Sequence, residues 1–186
     1  MANTELRDKI KEVAVEHFNS SGYYGTTIRN IANDVNCSLP MIYYYFKNKK
    51  ELFDEIIKID FFNLIKKQAE LLIIDDVIEF YTKFVYGLNY LSNYEKKIYR
   101  LGIKVYLSFD GDEELMKLMD EWEKGILSRH CELLRPYLKN GEKSTAVLRT
   151  LVHLLENMIE SIVVKNRFLS EDEIREEISI VLENWL

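Results

Sequence analysis

Hydrophobic residues recur at helical spacing along nearly the whole chain, and polar start and stop signals cut the pattern into segments. Leu6, Ile10, Val13, Ala14 and Phe18 share one face of a helix predicted over about Thr4 to Ser20, which Gly22 ends as a C′ glycine. Ile28, Ile31, Ala32 and Val35 predict a second helix of roughly two turns behind the capping hydroxyls of Thr26 and Thr27. Asn36-Cys37-Ser38 breaks it, and Ser38 with Pro40 in the first turn opens a short third helix that turns Ile42 and Phe46 inward. Asn48 with Glu51 three residues on reads as a capping box for a long helix reaching about Leu72 through Leu52, Ile56, Ile59, Leu64 and Ala69.

Asp75-Asp76 starts the next segment, with Ile78, Phe80, Tyr81, Phe84, Val85, Leu88 and Leu91, and Ser92-Asn93 the one after, through Ile98, Leu101, Val105 and Tyr106. Residues 108–112 read as a loop. A further helix carries Leu115, Leu118, Met119, Trp122, Ile126 and Leu133 toward a stop between Pro136 and Gly141. The last two helices are a broad apolar one over 143–166 and one behind the Ser170–Glu173 capping box, with Ile174, Ile178, Val181, Leu182 and Trp185 in a stripe. The fold class is therefore all-α, with about nine helices.

The third helix is too short to bury all it carries. With Ile42 and Phe46 turned to a core, Met41, Tyr43, Tyr44 and Tyr45 cannot follow them, so rings project outward beside Lys47, Lys49 and Lys50. Two short helices, a tight turn, an exposed face and flanking lysines make a helix-turn-helix, which lays its second helix in the DNA major groove. The plainer alternative is a packed aromatic cluster with no contact to nucleic acid.

Charge sharpens this picture. The net charge is −6, yet residues 1–50 hold seven Lys/Arg and five Asp/Glu, a balance of +2 against −8 for the rest, which directs an anionic polymer to the N-terminal end. Cys37 and Cys131 have neither metal nor disulfide spacing, pointing to a reducing, cytoplasmic setting. No signal peptide and no membrane-spanning run is visible. Enzyme chemistry finds no purchase: there is no phosphate-cradling glycine loop, nucleophile elbow or zinc-protease histidine pair, and neither metal nor cofactor is expected.

These residues resemble the DNA-binding domain of TetR-type transcriptional regulators: Phe18, Gly22 and Tyr23 in the lead-in, the Thr26–Ala32 block, and Ile42–Leu52, similar to Leu-Tyr-x-His-Phe-x-x-Lys-x-x-Leu. The resemblance covers roughly the first 55 residues, with Tyr45 where the family most often has His, and Leu39 and Met41 where many relatives carry small or polar residues. It implies a DNA-binding domain at 1–48 and a helical ligand-binding and dimerisation domain at 49–186. Thr27 and Arg29 would touch the backbone or a base edge, Ser38, Leu39, Pro40, Met41 and Tyr44 the groove floor, and Tyr43, Tyr45 and Lys49 phosphates.

The resemblance further implies a homodimer on palindromic double-stranded DNA, released by a small, largely apolar effector. Candidate effector-binding residues are Phe61, Phe62, Phe80 and Phe84, with Tyr106, Phe109, Met119 and Trp122, although each also reads as core. The dimer interface is expected at Leu151, Leu155, Met158 and Ile162 of one helix and Ile174, Ile178, Val181 and Trp185 of the last. The other reading is a helical small-molecule-binding protein that keeps the scaffold without regulating through DNA.

Overall fold

The computed structural model describes residues 2–70, 76–107, 113–134 and 144–183, and among them every regular element is helical. Nine helices follow one another: α1 Ala2–Gly25, α2 Ile28–Val35, α3 Leu39–Tyr45, α4 Lys49–Glu55, α5 Val77–Gly87, α6 Asn93–Tyr106, α7 Glu113–Leu134, α8 Ser144–Ile159 and α9 Glu171–Leu182. Three of them continue past those bounds. α4 passes through a π-helical turn, Ile56–Phe61, and resumes as Phe62–Glu70; α5 ends in a 3-10 turn, Leu88–Tyr90; α8 ends in a π turn, Glu160–Val164. The predicted Asp75, the loop at 108–112, the stop at 136–141, Phe109 and Trp185 lie outside the described residues, as do the side chains of Ile126 and Leu133. None of the described helices is long and apolar enough to cross a membrane.

The chain divides into two compact units, 1–65 with 92–117 and 66–91 with 118–186, rather than at residue 48, because α6 packs back on α1 and on the π turn of α4. In the first unit Ile10, Ala14, Val15 and Phe18 of α1 are fully buried, while Leu6 and Val13 are only half-buried. Asn19 ties α1 to α6: its amide donates to the Lys97 carbonyl at 2.9 Å, and the Lys104 ammonium donates to the Asn19 carbonyl at 2.5 Å. Arg7 and Lys11 pair with Glu55, and Lys11 also with Asp60, binding α1 to α4. The π turn moves the apolar face of α4, so Ile59, expected inside, is half exposed, and Ile57 and Phe61 are buried instead.

In the second unit α9 packs on α5 and α8. Its start is the predicted capping box, with Ser170 and Glu173 each accepting from the other's backbone N–H. Arg175 of α9 reaches Glu79 of α5, and Lys83 of α5 reaches Glu171 at 2.8 Å.

Candidate nucleic-acid interface

The unit formed by the end of α1, α2 and α3 is assembled by local devices that the sequence states almost residue by residue. Gly22 interrupts α1 with φ 70° and ψ 174°, a backbone region open essentially to glycine alone, and so redirects the chain into one more turn ending at Gly25. Thr26 and Thr27 divide the work expected of both. Thr27 is the N-cap, its hydroxyl oxygen accepting from Asn30 N–H at 3.1 Å, whereas Thr26 is buried and donates back to the Gly22 carbonyl at 2.8 Å.

At the other end of α2, Asn36 adopts the left-handed conformation (φ 60°, ψ 47°), and the N–H groups of Asn36 and Cys37 each reach carbonyls of the last turn at 3.0 Å. Ser38 is the N-cap of α3 without spending its hydroxyl on a cap bond, and it stands exposed. Burial presses the Cys37 thiol upward from its ordinary value, with the Lys9 charge opposing in part.

α3 shows the predicted two faces. Ile42 and the following Phe46 are 0% and 1% exposed, while Met41, Tyr43 and Tyr44 are 39%, 51% and 71% exposed. Pro40 is exposed as well; Leu39 and Tyr45 are half-buried. The outward rings are braced. Tyr44 meets Tyr45 edge-on at 5.1 Å between centroids, Tyr45 leans on Phe46 at 6.5 Å, and the Arg7 guanidinium lies 5.0 Å over Phe46.

Of the three lysines behind α3, only one stands clear. Lys49, expected to hold a phosphate, donates to the carbonyls of Tyr23 at 2.7 Å and Thr26 at 2.9 Å, and its ammonium sits 4.3 Å over the Tyr23 ring. Burial lowers its pKa accordingly. It is placed as a brace between α4 and the α1–α2 corner, because two carbonyls left by the Gly22 kink offer it fixed acceptors. Lys50 pairs with Asp54 and Glu114. Lys47, absent from the sequence-predicted contacts, is exposed and makes no ion pair among the described residues; exposure, which three adjacent lysines do not reveal, singles it out. The capping box at α4 is also displaced: Asn48 accepts from Glu51 N–H as expected, but the Glu51 carboxylate takes Lys47 N–H at 2.5 Å. Arg29 on α2 is exposed and carries no ion pair among the described residues.

Lys49→Ala should therefore act first on the fold. Two carbonyls lose their donor and a ring loses its cation, so stability should fall by about 1–2 kcal/mol. Urea unfolding followed by circular dichroism checks this; an unchanged midpoint would deny the brace.

The effector candidates divide between the two units. Phe61, Phe62 and Tyr106 belong to the first unit, and Phe80, Phe84, Met119 and Trp122 to the second. Phe61 and Met119 are 2% and 1% exposed and serve as core, Phe61 edge-on to Tyr99 at 5.5 Å. A polar pair missing from those candidates lies in the second unit. The hydroxyl of Tyr81, itself 1% exposed, is 2.6 Å from His130 Nδ1. Burial, with a smaller contribution from Arg129, lowers the His130 pKa to about 4, and burial raises that of Tyr81.

Most residues named for the dimer interface are covered within the single chain. Leu151, Leu155, Met158, Ile162, Ile174 and Ile178 are each at most 5% exposed within the single chain, because α5, α8 and α9 cover one another's apolar stripes. Of the described residues named for that interface, only Val181 keeps partial exposure. The open faces of α8 and α9 carry instead His153, Glu156, Asn157 and Val164, with Glu176, Glu177 and Ile180.

Two helices joined at an αL turn, the second with an outward face over a buried one, define a helix-turn-helix unit. Residues 10–56 match the family described as bacterial regulatory proteins, tetR family. This match assigns the N-terminal domain, residues 10–56, to the TetR family. It is 30% identical over 90 residues, 45% of its length and 48% of the relative's, to the biofilm operon icaADBC HTH-type negative transcriptional regulator IcaR of Staphylococcus epidermidis. The chain thus spans about half the length of the curated relatives it matches. Across its length its fold is similar to a TetR-like transcriptional regulator from Rhodococcus sp. RHA1 (TM-score 0.76, 15% identity, 96% of this chain and 94% of that one). It is likewise similar to the chain of a SmeT–triclosan complex (TM-score 0.69, 17% identity, 98% and 92%).

Proposed function

We propose that the chain is a ligand-responsive transcriptional regulator, a repressor that binds palindromic double-stranded DNA as a homodimer and releases it when a small, largely apolar effector binds. The observation that carries this reading is the braced, outward face of α3, Met41, Tyr43 and Tyr44, set above a buried Ile42 and Phe46. Residues 1–48 hold the DNA-reading role and 49–186 the effector and dimerisation roles. The naming of IcaR as a negative regulator supports repression, and triclosan in the SmeT complex supports an apolar effector. The chain is no enzyme on this reading and works in the cytoplasm.

Dimerisation follows from the operator: two half-sites about 34–36 Å apart need two reading heads. With the inner stripes of α8 and α9 already covered, the second copy meets their outer faces, where Val164 and Ile180 are 42% and 65% exposed. Effector binding shifts the population toward a form whose heads no longer fit successive grooves, and DNA and effector weaken each other by the same factor.

Selection of random duplex DNA by the purified chain, with the bound mass determined, tests this. A palindrome carrying two or four subunits supports it, and no enrichment at low salt from folded protein overturns it. Within that assay Lys47→Ala should lower affinity for all sequences alike and reduce the slope of log K against log salt by about one counterion. A slope equal to that of the unaltered chain would remove Lys47 from the phosphate contacts.

A further inference from the structure

From the side chains that α3 exposes, and resting on its role as the groove helix, we infer that each operator half-site is read mainly through thymine methyl groups, with one guanine taken by Arg29. α3, Leu39–Tyr45, contains no Arg, Lys, Asn, Gln, Asp or Glu. It therefore lacks every side chain that pairs in bidentate fashion with guanine O6/N7 or adenine N6/N7, and every carboxylate that accepts from cytosine N4. What it offers is apolar: the Met41 thioether and methyl, the Pro40 ring, and the Tyr44 ring edge. The feature on the groove floor that complements such a surface is the thymine C5-methyl.

The alternative bases are disfavoured by unreplaced desolvation. A guanine opposite Met41 would bring two acceptors against a group that cannot donate, and they would lose water without replacement. Tyr44 is held in place for this task by the ring series running through Tyr45 and Phe46 to Arg7, so its edge meets the groove without first being ordered. Single hydroxyls on Ser38 and Tyr44 add contacts that either base pair satisfies. Arg29 is the one guanidinium in residues 26–50; it is exposed on α2 and without an ion pair among the described residues, so its fork is open to guanine.

The test uses the full chain and the half-site recovered by selection. Thymines facing α3 are replaced one at a time by deoxyuridine, which removes the methyl and leaves the pairing intact. Each replacement at a read position should weaken binding roughly fourfold, the equivalent of about 0.8 kcal/mol for one buried methyl-sized group. Met41→Ala, a change at an exposed side chain, should abolish the effect at one thymine and keep it at others, and Arg29→Ala should erase the preference for the single guanine. A recovered palindrome whose α3-facing positions are G·C pairs, or one indifferent to deoxyuridine, overturns this inference and leaves the regulator reading standing. Failure of folded protein to enrich any sequence overturns the regulator reading, and this inference with it.

Discussion

Gly102→Ala should lower the stability of the protein by about 3 kcal/mol, at the upper end for an overpacked core, and lower Tm by about 6–12 °C. Gly102 lies inside α6, where glycine ordinarily costs about 1 kcal/mol relative to alanine, so propensity alone predicts the opposite sign. Packing decides. A methyl group at Gly102 would stand 2.3 Å from Phe61 Cε2, and 2.5 and 2.6 Å from Cδ2 and Cζ. That ring cannot step aside cheaply, being 2% exposed, edge-on to Tyr99 and tilted against Phe62 at 5.6 Å. Phe61→Leu in the same chain frees space and should restore part of the loss, a coupling that thermal unfolding of the two single variants and the double variant measures. Additive losses would mean that the ring is not the obstacle.

Acid should weaken the protein from about pH 6.5 downward, before most of its carboxylates protonate. His130 titrates at about 4 in the fold, against an ordinary value of 6.5, because burial, and to a lesser degree the Arg129 charge, disfavours its protonated ring. Between those values the unfolded chain binds a proton that the folded chain does not, so stability falls as pH falls through that window. The contribution is fully present above about 6.5. Its loss by pH 4 should amount to about 2 kcal/mol, discounted for the ring's partial exposure. His130→Phe removes the titrating group, and its Tm should vary less with pH between 6.5 and 4.5 than that of the unaltered chain. Parallel curves would place the acid sensitivity elsewhere. Tyr81→Phe should itself destabilise, since it strands the Nδ1 of a packed imidazole.

The parts of this molecule legible in its sequence are those fixed by local chemistry. The periodicity that sets Ile42 and Phe46 against Tyr43 and Tyr44 needs only the helical repeat, and the box at Ser170 needs only three residues of spacing. What was not legible depends on partners distant in the chain. Which lysine is spent and which stands free turns on two carbonyls at Tyr23 and Thr26, more than twenty residues before Lys49. The breadth of the apolar face on α8 and the stripe on α9 were plain, but breadth does not say what covers it, and α5 covers much of it within the same chain. Gly102 carried a signal of its own, a glycine between Leu101 and Val105 in a helix, whose meaning required the ring of Phe61.

The π turn at Ile56–Phe61 makes α4 one residue longer than an uninterrupted α-helix joining the same ends. Its phase is thus a matter of length as well as composition. Loss of a single codon between 56 and 61 would leave a continuous α-helix with every later side chain on its present face, whereas the same loss elsewhere in α4 would turn them by about 100° about the axis. Comparison with relatives must allow for this: where one lacks the turn, the correspondence after Phe61 is a gap of one position, and an ungapped alignment pairs inward residues with outward ones.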